Sequence, residues 1–203
     1  MKQQVFVIHG GNAFDTYEEY LSYLQAKEVN LESLQYSDWK HSLQETLGDS
    51  YEVIAPRMPN SNNAKYLEWK IYFEKFIPLL QENVIVIGHS LGGIFLAKYF
   101  SEEACPTSIR AVFLVAAPFS TASQHPLADF VLSTDLHLLQ EQGSEVFLYH
   151  STDDAVVPYS NVEEYVQHLP EAKLRTLEGR NHINQPEFPE LVKDIQSVTS
   201  ESN

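Results

Sequence analysis

Residues 84–93, Val-Ile-Val-Ile-Gly-His-Ser-Leu-Gly-Gly, constrain the fold of this chain more than any other segment. A β-branched apolar run meets a Gly-x-Ser-x-Gly pattern and a helical segment follows, which predicts a strand, a sharp turn and a helix. Ser90 falls at the apex of that turn, where its hydroxyl would stand above the sheet. We expect glycine at positions 88 and 92 because a side chain there would strike the neighbouring strand or helix.

Short β-rich runs alternate with helical patterns along the whole chain. The predicted strands span residues 4–8, 51–55, 84–87, 111–115, 146–150 and 173–176. Several are nearly continuous in Val, Ile, Leu or Phe, which is typical of strands covered on both faces. The pattern predicts the α/β class: a single domain over residues 1–203, built as a three-layer sandwich with a mostly parallel sheet of about six strands and helices on both faces.

Helical patterns fill the connections. One helix is predicted over residues 38–47, capped by Ser37 and ended by Gly48. Others are predicted over residues 64–80, 91–103, 127–139, 161–168 and 188–198. The predicted inward-facing residues are Leu67, Ile71, Phe76 and Leu80 in the second helix and Leu191, Val192 and Ile195 in the last. We expect the polar residues 196–203 to fray.

The composition limits the partners of the chain. Its 28 acidic and 13 basic side chains give a formal net charge of −15, so we expect no binding to nucleic acid or to an anionic membrane. The single cysteine, Cys105, permits no internal disulfide. We expect no signal peptide, and no apolar run approaches the roughly 20 residues of a membrane span. We therefore expect a cytoplasmic protein without membrane insertion; whether it has a protein partner is left open by the sequence.

Two further loops carry groups that could activate Ser90. A serine hydroxyl needs a nearby base, and the base needs a third group to orient it. The acidic pair Asp153-Asp154 follows the predicted strand 146–150, and His182 follows the strand 173–176. Both loops leave carboxyl ends of strands, on the same side of the sheet as Ser90. His182 is preferred as the base because the alternatives, His150 and His168, lie at a strand end and near a helix end.

Backbone N–H groups are the expected partners of a negative charge developing on a substrate oxygen, and each is typically worth about 3–4 kcal/mol. One should come from Leu91, directly after Ser90. The other should come from Gly11 or Asn12, in the loop after the first strand. We expect His9 to hold that loop.

Two long segments that leave strand ends, residues 12–29 and 116–143, are candidate pocket walls. Within and beside them we select Phe14, His89 and Phe119 as candidate substrate contacts, with His89 also supporting the turn at Ser90. Since no histidine or cysteine pair has the spacing of a zinc site and no nucleotide-binding pattern occurs, we expect no metal and no cofactor.

The motifs resemble the α/β-hydrolase superfamily over almost the whole chain. The matching segments are His9-Gly10-Gly11-Asn12, Gly88-His89-Ser90-Leu91-Gly92, the stretch 153–158 and Asn181-His182. The small size, with Arg57-Met58-Pro59-Asn60 and Ser151-Thr152-Asp153-Asp154, is similar to the compact serine hydrolase family of retinoblastoma-binding protein nine and its small bacterial relatives. The resemblance implies little or no cap domain. It also implies Asp154 rather than Asp153 as the acid, because Asp154 fits the Asp-x-x-Val-Pro pattern of that superfamily.

One departure from the family lies in the first loop. Relatives often carry a Pro-Gly-Asn type of loop there, whereas this chain has a longer aromatic insertion over residues 12–37. The identity of the second oxyanion donor therefore stays open between Gly11 and Asn12.

These motifs lead to the hypothesis of a carboxylesterase-like serine hydrolase. Ser90 would be the nucleophile, His182 the base and Asp154 the residue that orients it, acting on a small acyl substrate. Two alternatives stay open from the sequence: a thioesterase or acyltransferase with the same three residues, and a non-enzymatic protein-binding module on the same fold.

Overall fold

A parallel sheet forms the centre of the computed structural model, which describes residues 2–31, 37–119, 126–143 and 145–200. Within these residues the sheet has six strands in the order β2-β1-β3-β4-β5-β6, and every neighbouring pair is parallel. This arrangement confirms the predicted α/β class. The strands are β1 (Gln3–Ile8), β2 (Tyr51–Ile54), β3 (Val84–His89), β4 (Ile109–Val115), β5 (Val146–Ser151) and β6 (Lys173–Leu177).

Helices cover both faces of the sheet, as predicted. They are α1 (Tyr17–Ala26), α2 (Trp39–Leu47), α3 (Tyr66–Glu74), α4 (Leu91–Glu102), α5 (His137–Gln142), α6 (Ser160–His168) and α7 (Pro189–Ser200). Because strand side chains alternate between faces, the core divides in two. Phe6 and Val86 pack with α3, α4, α5 and α6 on one side. Val5 and Ile85 pack with α2 and α7 on the other.

The second predicted helix is shorter than expected and turned differently. It ends at Glu74, and Pro78 lies in a separate 3-10 turn over Ile77–Leu79. The predicted inward face was wrong for Leu67 and Ile71, which are 61% and 51% exposed. The helix instead buries three aromatic side chains, which contribute more apolar area: Tyr66, Trp69 and Phe73.

Other helix boundaries also differ from the sequence prediction. The N-cap of α2 is Asp38 rather than Ser37, since the Asp38 side chain accepts a hydrogen bond from the Lys40 N–H. The predicted helix 127–139 is replaced by a 3-10 turn over Ala128–Phe130 and by α5.

The last helix does not fray where the sequence suggested. It continues through Ser200 with Val198 only 4% exposed, so the expectation of fraying was wrong for residues 196–200. Leu191 and Ile195 face the core as predicted, and Val192 is partly buried against it. Residues 201–203 lie outside the described part of the chain.

The sheet topology places a crevice beside Ser90. From β1 the chain goes to β2 on one side of it and then to β3 on the other. The loops after β1 and β3 therefore diverge at the carboxyl end of the sheet, and ligands of open α/β sheets bind at such a point. Among the described residues, no helix has both the length and the hydropathy to cross a membrane.

Candidate active site

The turn between β3 and α4 holds Ser90 in a rare backbone conformation. Its φ of 55° and ψ of −123° lie outside the regions that a non-glycine residue usually adopts. A Cβ on Gly88 would overlap the backbone of Gly92, and one on Gly92 would overlap the carbonyl oxygen of Ile8. Side chains at positions 88 and 92 would therefore clash, as we expected from the sequence. Because glycine has no side chain, the strained turn can pack closely against the neighbouring backbone.

His182 reaches Ser90 from the loop after β6. Its Nε2 lies 2.9 Å from the Ser90 Oγ, across a separation of 92 residues. Both neighbours of His182 in the chain have positive φ, 47° at Asn181 and 51° at Ile183. This tightly bent loop, with the imidazole largely buried, aims the ring at the hydroxyl.

Asp154 completes the line of hydrogen bonds. Its Oδ2 lies 2.8 Å from the Nδ1 of His182, and its Oδ1 accepts the N–H groups of Val156 and Val157 at 2.8 and 2.9 Å. Since an ionised carboxylate only accepts, Nδ1 carries the proton and Nε2 is left to accept from Ser90. A hydroxyl bonded to an imidazole that is itself held by a buried carboxylate is the arrangement that activates a serine for nucleophilic attack.

The neighbouring acid and the other candidate bases have different contacts. Asp153 is exposed and bonds to the hydroxyl of Ser151 and the N–H of Asn181, so it holds the turn and does not touch His182. His150 donates from Nε2 to the Val157 carbonyl at 2.7 Å, and burial lowers its pKa. His168 stacks on Phe119, with ring centroids 5.2 Å apart.

Of the two expected loop donors, the structure leaves one. The Asn12 N–H donates to the Ser61 carbonyl at 2.8 Å, so of the two alternatives left open by the sequence, Asn12 is wrong as the oxyanion donor. In the described part of the chain the Gly11 N–H makes no backbone hydrogen bond, and a Cβ on Gly11 would come within 2.5 Å of the same Ser61 oxygen. Leu91 begins α4 directly after Ser90, where the first backbone N–H groups have no intrahelical acceptor.

His9 and His89 fix the loops around the site. The His9 Nε2 accepts from the Met58 N–H at 2.9 Å, so its Nδ1–H donates to the Gly10 carbonyl at 2.6 Å. This ties the loop after β1 to the loop after β2, in the holding role expected for His9. The His89 Nε2–H donates to the His182 carbonyl at 2.9 Å.

Lys40 on α2 was missed by the sequence analysis. Its ammonium lies 3.4 Å from the Nδ1 of His89 and 2.5 Å from the carboxylate of Asp38, with its side chain only 12% exposed. Burial lowers the pKa of Lys40, and the nearby Asp38 charge opposes that shift. Burial also holds the pKa of His89 well below its usual range, with a further contribution from the Lys40 charge, so His89 is neutral and Nδ1 can accept.

Two cavities open from Ser90. The first, which we call the polar lobe, has a volume of about 610 Å³ and includes His182 and cationic side chains; it is lined by Val7, His9, Gly10, Gly11, Asn12, Asp38, Lys40, His41, Ala55, Pro56, Arg57, His89, Ser90, Val156, His182 and Asn184. The second, the apolar lobe, has a volume of about 310 Å³ and is mostly hydrophobic; it is lined by Gly11, Asn12, Ala13, Phe14, Tyr23, Ser90, Leu91, Pro118, Pro126, Leu127, Val156 and Val157.

The three candidate substrate contacts fall in different places. Phe14 lines the apolar lobe and His89 lines the polar lobe. Phe119 lines neither; it is 2% exposed and packs edge-on against Tyr165, so that prediction was wrong and Phe119 belongs to the core. In the described part of the chain, no group of three or more His, Cys, Asp or Glu side chains is arranged to hold a metal ion.

Comparison with known proteins gives consistent matches. A family model described as serine hydrolase matches residues 31–190. Serine hydrolase RBBP9 of Rattus norvegicus is 25% identical over 151 residues, which cover 73% of this chain and 78% of that protein.

Solved structures show a similar fold. The ydeN gene product of B. subtilis aligns with a TM-score of 0.77 and 20% identity over 98% of this chain and 100% of that chain. A meta-cleavage product hydrolase from Pseudomonas fluorescens aligns with a TM-score of 0.69 and 15% identity over 99% and 92% of the two chains. At such identities the likeness concerns the fold.

Proposed function

Because this chain belongs to the serine hydrolase family, we propose that it hydrolyses small carboxylic esters through an acyl-enzyme on Ser90. Its α/β-hydrolase fold supplies the strand-turn-helix that such a nucleophile requires. The observation that carries the proposal is the pair of hydrogen bonds, 2.9 and 2.8 Å long, that join Ser90 to His182 and His182 to Asp154.

In the first half of the reaction, the Ser90 Oγ attacks the ester carbonyl carbon while the His182 Nε2 takes the hydroxyl proton. Asp154 keeps the proton on Nδ1 and stabilises the imidazolium that forms. The bond to the leaving alcohol then breaks, and His182 passes its proton to the alcohol oxygen. The alcohol departs and the acyl group stays on Ser90.

The charge that develops on the former carbonyl oxygen needs donors at a fixed distance. We assign this role to the backbone N–H groups of Leu91 and Gly11. Removal of one such donor typically costs about 3–4 kcal/mol of transition-state stabilisation. The start of α4 adds the partial positive charge of a helix N-terminus.

Water completes the cycle. His182 takes a proton from water as its oxygen attacks the acyl carbon, the bond from that carbon to Ser90 breaks, and the proton returns to the Ser90 oxygen. The net reaction consumes one ester and one water and gives one carboxylic acid and one alcohol. The predictions of a cytoplasmic location and of independence from cofactors, nucleic acid and membranes stay predictions.

Steady-state assays with short 4-nitrophenyl esters test this function. Ser90→Ala should lower kcat by roughly 10⁴–10⁶-fold, because groups that act as a unit lose most activity together. Ser197→Ala, an exposed serine on α7, is the matched control and should keep wild-type activity. A folded wild-type protein that turns over neither oxygen esters nor acyl-thioesters would contradict the proposal, and turnover of thioesters alone would redirect it to a thioesterase.

A further inference from the structure

We propose that the natural leaving group carries a negative charge, which Arg57 and Lys40 recognise in the polar lobe, while an uncharged acyl group occupies the apolar lobe. This inference rests on the proposed function, since it divides one ester between the two cavities that meet at Ser90. The inference concerns the preferred ester. The hydrogen bonds among Ser90, His182 and Asp154 do not determine that preference.

The position of His182 assigns the lobes. The group that protonates the leaving oxygen must lie on the leaving-group side of Ser90. His182 lines the polar lobe and is not among the residues that line the apolar lobe. Of the two N–H donors assigned to the acyl oxygen, Leu91 lines only the apolar lobe, and Gly11 lies where the two lobes meet and lines both. The alcohol part therefore extends into the polar lobe and the acyl part into the apolar one.

The charges of the polar lobe favour an anion. Asp38 already pairs with Lys40 and with His41, at 2.5 and 3.3 Å. Within the described residues Arg57 makes no ion pair, and its exposed side chain borders the same lobe. The ammonium of Lys40 has three donors, of which the contacts to Asp38 and His89 use two. With two cationic side chains against one carboxylate, the lobe has a formal excess of one positive charge, although the whole chain has a net charge of −15.

The backbone beside Arg57 is held by the next residue in the chain. The Met58 N–H is bound by the His9 Nε2 at 2.9 Å, and the Met58 side chain is only 4% exposed. The backbone at Arg57 is therefore anchored to the loop that carries Gly11, while the exposed guanidinium has no hydrogen-bond or ion-pair partner among the residues that the structure describes. A planar guanidinium suits a carboxylate or phosphate oxygen pair.

The apolar lobe gives the opposite preference for the acyl part. No charged side chain lines it among the residues that the structure describes. A carboxylate or ammonium in the acyl group would lose hydration there without a partner, which is costly. The preferred reaction is thus hydrolysis of a neutral acyl ester of an anionic alcohol, giving the carboxylic acid and that alcohol.

A matched pair of esters tests this preference. Hexanoyl esters of 4-hydroxyphenylacetate and 4-hydroxyphenylacetamide differ in charge, while a phenyl ring and a methylene separate that charge from the reacting oxygen. We expect wild-type kcat/KM to be about tenfold higher for the anionic ester, as for a partly exposed charge-assisted hydrogen bond. Arg57→Gln should reduce that ratio to about one to two, and Arg57→Lys should keep part of it.

Lys75→Gln is the matched control, because Lys75 is exposed beyond α3 and lines neither lobe. It removes the same formal charge and should leave both rates at the wild-type value. A wild-type ratio of one or less, or a ratio that Arg57→Gln does not change, overturns the inference while the proposed function stands. If neither ester is turned over by the folded protein, the proposed function fails and this inference fails with it.

Discussion

The Nε2–H of His89 donates a 2.9 Å hydrogen bond to the carbonyl oxygen of His182, so the residue beside the nucleophile holds the loop of the base. The two imidazole rings lie 5.1 Å apart, and Lys40 approaches the other nitrogen of His89. Through this contact the β3 turn and the loop after β6 are positioned relative to each other. His89 is therefore a positioning residue: it acts on the geometry of His182 and not on the reacting atoms.

Replacement of His89 should separate positioning from binding. His89→Leu removes the donor to the His182 carbonyl and should lower kcat by about 10- to 100-fold with a small change in KM, since a misplaced base costs rate more than affinity. His89→Gln, which can still donate, should recover part of the loss. The measurement is steady-state kinetics on a short ester, with His137→Leu on the exposed face of α5 as control. A rise in KM with an unchanged kcat in His89→Leu would contradict the positioning role.

The buried histidines should make stability depend on pH in a defined window. Burial lowers the pKa of His89 and of His150, so in the unfolded chain each binds a proton at a higher pH than in the folded protein. Their contribution to stability is therefore complete above the unfolded pKa of about 6.5 and is lost as the pH falls below it. The limiting slope is about 1.4 kcal/mol per pH unit for each group.

Urea unfolding between pH 8 and pH 5 measures this effect. The free energy of unfolding of the wild type should fall with decreasing pH below about 6.5, and His89→Gln should show a shallower fall because one of the two groups is gone. An identical slope in the variant would mean that His89 does not resist protonation in the folded protein.

The two adjacent carboxylates should differ sharply in their effect on activity. Asp154→Asn should lower kcat by about 10⁴-fold because the amide no longer enforces the required tautomer of His182. Asp153→Asn is the matched control, since Asp153 bonds to Ser151 and to the Asn181 N–H instead, and it should stay within about tenfold of the wild type. Equal losses in the two variants, with both proteins folded by circular dichroism, would refute the assignment of Asp154.

The wall of the apolar lobe should set the preferred acyl length. Tyr23 on α1 lines this lobe and packs on Phe14, with ring centroids 5.2 Å apart. Tyr23→Ala should lengthen the cavity and so raise kcat/KM for a decanoyl ester relative to a butanoyl ester. Each additional methylene that the enlarged lobe buries is worth about 0.8 kcal/mol, or about fourfold in this ratio. Tyr17→Ala on the same helix, where Tyr17 is 62% exposed, should leave the ratio unchanged. An unaltered ratio in Tyr23→Ala would show that this wall does not limit the acyl chain.

The parts of the molecule that follow from local patterns could be predicted from the sequence. The six strands, the turn at Ser90 and the loops of Asp154 and His182 are each marked by a short run of residue types, and parallel strands bring their carboxyl ends to one edge. The choice of His182 over His150 also follows from position along the strand pattern.

Features that depend on contacts distant in sequence could not be predicted. Gly11 and Asn12 are equivalent in the sequence until the Ser61 carbonyl binds the Asn12 N–H. Two apolar stripes on α3 satisfy the same helical period, and only packing against α4 decides between them. Nothing in the sequence around Lys40 indicates that α2 delivers its ammonium to His89.

Covalent labelling of the nucleophile tests the central claim most directly. The wild-type protein, incubated with an alkyl fluorophosphonate and analysed by intact and peptide mass spectrometry, should gain one phosphonyl group, located on Ser90. Ser90→Ala should gain none, and His182→Ala should react at least about a hundredfold more slowly because the hydroxyl has lost its base. Absence of the adduct in folded wild-type protein, or its location on another residue, would contradict the account.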